Sequence, residues 1–122
     1  MILLWIATGG AIGAMGRFAV SSWSNRRFRH SPVGTFIVNI SGALALGAVV
    51  GLTDQHVDLS SDSYRFIVTG ILGSYTTFST LFYETFILIE TEKRPLALFY
   101  AAGSLVAGIV AVVSGMGVVA LW

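Results

Sequence analysis

The sequence predicts an all-α integral membrane protein with four transmembrane helices, and three observations carry that expectation. Of 122 residues, 55% are apolar and 11% charged, an apolar share above the roughly 45 to 50% of an ordinary soluble domain. The charges cluster and leave four long stretches nearly free of them: Ile2 to Trp23, interrupted by Arg17 alone, Val33 to Thr53, Phe66 to Tyr83, and Pro95 to Trp122. About 20 residues rising 1.5 Å each cross a hydrocarbon core of roughly 30 Å. Within the stretches the polar positions are small or neutral, as at helix contacts in lipid, rather than the polar stripe of a soluble bundle. The chain reads as one transmembrane domain, residues 1–122, with helices at about 2–23, 32–53, 64–90 and 95–121.

Helix one crosses only if Arg17 snorkels or faces water. A secretory signal would begin with a basic region, and no Lys or Arg precedes Arg17. Helix two holds its polar positions at Gly34, Thr35, Asn39, Ser41, Gly42 and Gly47. Small residues four apart (Gly9 and Gly13, Gly47 and Gly51, and Gly103, Ala107 and Ala111) predict close helix packing. Basic residues set the orientation. Arg26, Arg27 and Arg29 in the first loop and Lys93 and Arg94 in the third stand against Arg65 beside the second. The first and third loops are therefore expected in the cytoplasm, with both termini outside.

Several functions are excluded. A net charge of +1 without a basic tract gives no nucleic-acid surface. No cysteine means no disulfide, thiolate nucleophile or zinc-thiolate site. His30 and His56 fall in loops and Glu84 is the one carboxylate inside a span, so no nucleophile, base and orienting group gather, and an enzyme is not expected. No nucleotide-binding motif is present.

Helix three carries the distinctive run Gly70-Ile-Leu-Gly73-Ser-Tyr-Thr76-Thr77-Phe78-Ser79-Thr80-Leu81-Phe82-Tyr83-Glu84. Two glycines followed by five Ser and Thr make a poor continuous helix, since glycine costs about 1 kcal/mol against alanine and threonine a few tenths. A break is expected between Gly73 and Thr77, its freed carbonyls buried in protein or facing water and available to a small cation. The alternative is an unbroken helix whose hydroxyls bond back to their own carbonyls.

Read as Gly-x-x-Thr-Thr-Phe-Ser-Thr, Gly73 to Thr80 resembles the signature of the Fluc (CrcB) family of fluoride channels. The resemblance extends to Gly16-Arg17-Phe18, to the stretch from Gly34 through Asn39 to Gly42, and to Glu84. It implies a passive, fluoride-selective channel in the bacterial cell membrane that lowers cytoplasmic fluoride. It also implies an antiparallel, dual-topology-type dimer with a structural Na+ at its centre, held by the backbone carbonyls of Gly73 and Thr76. The fluoride pore would then draw on Asn39, Phe78, Thr80, Tyr100 and Ser104, with Arg17 at a vestibule. Leu81, where the family has a second phenylalanine, and Gly108, where a hydroxyl usually continues the track of helix four, depart from the pattern.

The five-to-one charge bias favours a fixed orientation, and so pairing with a related, oppositely inserted subunit over a homodimer. Two further readings remain open. A small proton-coupled multidrug exporter needs a deep carboxylate, for which Glu84 is the sole candidate. A non-conducting partner subunit would leave the pore to its companion.

Overall fold

The computed structural model describes residues 1–29, 32–55 and 59–121; His30 and His56 lie outside them. Helix α1 runs Ile2–Phe28 and α2 Val33–Asp54. Past residue 23, α1 carries Arg26 and Arg27 in its last turn, at the negative end of the helix dipole, and Arg29 ends it in the left-handed conformation at φ 47°. The third stretch opens with α3, Ser61–Tyr64, capped by the Ser60 hydroxyl on the Ser63 N–H. It continues as a π-helix, Arg65–Leu72, and then as α4, Gly73–Tyr75. Thr76 (φ −77°, ψ 158°) and Thr77 (φ −148°, ψ 125°) are extended, and α5, Phe78–Glu90, resumes the helix. After a turn with Glu92 at φ 59°, α6 runs Arg94–Ala120 with Pro95 in its first turn, where the missing N–H costs nothing.

Helices α1, α2 and α6 are each long and apolar enough to span a bilayer. The third stretch is divided by its break, which falls at Thr76 and Thr77, while Gly73 itself stays helical (φ −62°, ψ −31°). The chain is a multi-pass membrane protein, turned inside out relative to a soluble one. Leu3, Phe18 and Phe99 are 80%, 74% and 76% exposed, whereas the buried core consists of Val38, Ala97, Tyr100 and Ala111. Apolar area is already satisfied by lipid, so backbone proximity and hydrogen bonds must hold the helices together.

That proximity is visible where a side chain would not fit. A Cβ on Gly47 would lie 2.1 Å from the Val112 carbonyl oxygen of α6, and one on Gly115 would lie 2.3 Å from the Leu44 oxygen of α2. The expected α6 stripe needs correcting: Ala111 and Gly115 are buried, while Gly103 faces open space. A helix rotates 100° per residue, so positions 111 and 115 share a face that 103 leaves. Against α1 lies the third stretch, with Gly9 beside the Phe66 carbonyl and Gly13 beside that of Ile71.

Candidate functional site

The break is built by side chains that take over two helical hydrogen bonds. In an unbroken helix the N–H of Thr77 would bond the Gly73 carbonyl and that of Thr80 the Thr76 carbonyl. Instead Thr77 donates its N–H to Asn39 Oδ1 on α2 at 2.8 Å, and Thr80 donates its N–H to Thr77 Oγ1 at 3.3 Å. The carbonyls of Gly73 and Thr76 thereby lose their helical partners. Thr77 is an N-cap of the usual kind, since its extended backbone lets its hydroxyl accept from the third residue on. The bland reading of the hydroxyl run holds for Thr76 alone, whose Oγ1 bonds back to the Leu72 oxygen at 2.9 Å.

Asn39 closes a second bond, donating from Nδ2 to the Thr77 carbonyl at 2.9 Å. Its Oδ1 must face an N–H and its Nδ2 a carbonyl, which fixes the amide's orientation and leaves one further N–H of the amide to give. Thr77 also shares hydroxyl hydrogen bonds with Ser79 (3.3 Å) and Thr80 (3.1 Å). Across the break, the Tyr75 hydroxyl meets Ser41 Oγ at 2.9 Å.

Seven of the ten residues singled out in the sequence line one open groove of about 650 Å³: Asn39, Gly73, Thr76, Phe78, Leu81, Ser104 and Gly108. Phe78 is 70% exposed and stacks on Phe82 one turn later, with ring centroids 5.9 Å apart and planes at 27°. The second ring beside Phe78 is thus that of Phe82, while Leu81 lies in the groove as well. Ser104 is 7% exposed, and its Oγ has no hydrogen-bond partner. A buried hydroxyl without a partner is costly and points to a ligand, water or ion. At Gly108 an added Cβ would meet nothing within 4 Å.

Thr80, Tyr100 and Arg17 stand outside that lining. Tyr100 and Ser104 share a second, smaller groove with Phe36 and Phe99. Arg17 is half-buried on α1.

Sequence reasoning missed the setting of Glu84. It lies midway along α5, late in the third stretch, and both carboxyl oxygens are engaged: Oε1 accepts from Thr35 Oγ1 at 2.8 Å and Oε2 from the Tyr100 hydroxyl at 2.6 Å. Thr35 and Asn39, Thr80 and Glu84, and Tyr100 and Ser104 are each four residues apart on one helix. Two polar layers therefore stack about one turn, or 6 Å, apart. The four-residue spacing was the signal available in the sequence; the partners were not, because they lie on different helices. Among the described residues no three His, Cys, Asp or Glu side chains gather as metal ligands.

A family model described as CrcB-like protein, Camphor Resistance (CrcB), matches residues 4–116. The chain belongs to the CrcB family. Similar relatives include the fluoride-specific ion channel FluC of Chloroflexus aurantiacus, 41% identical over 116 residues that cover 94% of this chain and 92% of that protein. FluC 1 of Moorella thermoacetica is 38% identical over 117 residues, covering 95% and 84%. FluC 2 of Nitrobacter hamburgensis is 37% identical over 120 residues, covering 98% and 97%.

Proposed function

We propose that this chain is one subunit of a passive fluoride-selective channel, a transport protein and not an enzyme, that lowers cytoplasmic fluoride. The observation that carries the reading is the break at Thr76 and Thr77. It divides the third apolar stretch, frees two carbonyls, and opens onto a groove with the unpartnered Ser104 hydroxyl and the exposed Phe78 ring. Irregular backbone at membrane depth is tolerated where it is buried in protein or lines a cavity. The relatives named as fluoride-specific channels support the choice of ion.

In this reading two subunits pair antiparallel, their third stretches crossing at the breaks. A Na+ ion, a hard cation that favours oxygen donors, would be held by the Gly73 and Thr76 carbonyls of both. The residues fit that role, because these are the two carbonyls that Asn39 and Thr77 deprive of helical partners. The bound cation would supply positive charge beside the anion's path. For fluoride, Asn39 offers its remaining amide N–H, Phe78 the positive edge of its ring, and Thr80, Tyr100 and Ser104 their hydroxyls. Arg17 would draw anions toward a mouth.

The charge bias favours a partner subunit of opposite orientation over a second copy of this chain. Liposomes loaded with potassium fluoride test the reading. With valinomycin balancing charge, the chain alone or with its partner should release fluoride and retain chloride; chloride release at the same rate, or no fluoride release from either preparation, would refute it.

A further inference from the structure

We infer that Asn39 is a positioning residue that holds the third stretch open, and that the sodium site of the proposed channel depends on it. The inference rests on that proposed site, and on the two-point pairing between the Asn39 amide and the backbone of Thr77, with both bonds within 0.1 Å of each other in length at 2.8 and 2.9 Å. Thr77 is 8% exposed, so little solvent reaches its backbone to replace the side chain as its partner. An N–H buried there must be given to something.

Two acceptors compete for it: Asn39 Oδ1 from the neighbouring helix, and the Gly73 carbonyl four residues back. While Asn39 holds the N–H, the Gly73 oxygen is free for a cation. Without it, the N–H returns to Gly73, the helix gains a bond through Thr77, and one of the two oxygens each subunit offers is occupied. The same amide then serves two ions. Its Oδ1 and one N–H set the backbone that faces the cation, and the other N–H remains for the anion. Gly42, three residues and so about one turn beyond Asn39 on α2, seats the break from the same helix: a Cβ there would lie 2.3 Å from Thr76 Cγ2, so α2 carries the break as one body.

The test compares wild type with Asn39→Leu, which keeps the branched shape and removes both bonds, and Asn39→Asp, which keeps the Oδ1 acceptor. Two readouts other than flux are taken in micelles: the carbonyl carbon shift of Gly73 with Thr77 amide exchange by NMR, and the thermal midpoint as Na+ replaces N-methylglucamine at constant ionic strength. Wild type should gain stability with Na+, and Asn39→Leu should need about tenfold more Na+ for half the gain, the loss expected when one hydrogen bond of about 1.4 kcal/mol is removed. Its Gly73 carbonyl should move to a helical, hydrogen-bonded shift. Asn39→Asp should lose fluoride flux yet keep the Na+ response; a residue serving the pore alone would leave that response intact in Asn39→Leu as well, so the contrast between the two variants carries the test.

A wild-type Na+ response retained in full by Asn39→Leu would overturn the inference. So would an Asn39→Asp protein that loses the response with Thr77 still protected; if Asn39→Leu does not fold, Asn39→Ala, which also removes both bonds and adds no bulk, takes its place with the same expected loss. Absence of any Na+ effect in wild type would instead refute the sodium reading. The clamp then stands if the Gly73 shift moves in Asn39→Leu and falls if it does not.

Discussion

Replacing Gly13 by alanine places a methyl group against the backbone that leads into the break. The added Cβ would lie 2.1 Å from the Ile71 carbonyl oxygen, 2.9 Å from its carbon and 3.0 Å from the Tyr75 nitrogen. Ordinary contact begins at 3.4 Å, so α1 and the third stretch must separate by 1.3 Å. None of the three atoms belongs to a side chain that could rotate away. Overpacking of this kind costs about 1–3 kcal/mol. The displaced atoms lie one to five residues before Thr76, so the shift passes into the carbonyls and the Asn39 pairing. Displacements near 1 Å at a functional geometry cost up to about 10²-fold, and flux should fall by at least about tenfold. The control is Gly117→Ala, at a position where a Cβ meets nothing within 4 Å. Thermal unfolding in detergent and fluoride efflux from liposomes would be read on both. A Gly13→Ala protein with the melting point and flux of the control would refute the argument that this crossing positions the break.

Three other outcomes follow from the polar layers. Tyr100→Phe removes the 2.6 Å donor to Glu84 and should cost about 1–3 kcal/mol in thermal unfolding. Combined with Thr35→Val, the loss should be non-additive, because both hydroxyls serve one carboxyl group. Ser104→Ala removes a hydroxyl with no partner in the chain, so stability should stay within about 0.5 kcal/mol while fluoride efflux drops. Gly108→Ser adds a hydroxyl four residues beyond Ser104, into space with nothing within 4 Å; efflux measured beside wild type should rise at unchanged melting temperature.

The apolar stretches and the break were legible in the sequence because each follows from residues adjacent in the chain. Length and the scarcity of charge mark the stretches, and the glycines and β-branched hydroxyl residues from Gly73 onward weaken one helix locally. The composition located the weakness but not the residues that yield. Gly73, the better helix breaker by propensity, remains helical, and the extended residues are Thr76 and Thr77. Their conformation is decided by Asn39, 38 residues away from Thr77, which no local propensity registers. Glu84 shows the same limit. Its presence in a span was plain, but its enclosure by Thr35 and Tyr100 depends on three helices meeting. The π-helix at Arg65–Leu72 was likewise unread, for nothing in the spacing of that segment separates a wide turn from a regular one.

The charge distribution and the break lead to one decisive measurement. Purified chain, alone and co-reconstituted with a related subunit of opposite charge bias, would be placed in liposomes loaded with potassium fluoride or potassium chloride, and anion release followed after valinomycin. The account expects rapid fluoride release without chloride release in at least the paired preparation. Chloride passing as readily as fluoride, or fluoride retained in both preparations, would contradict it.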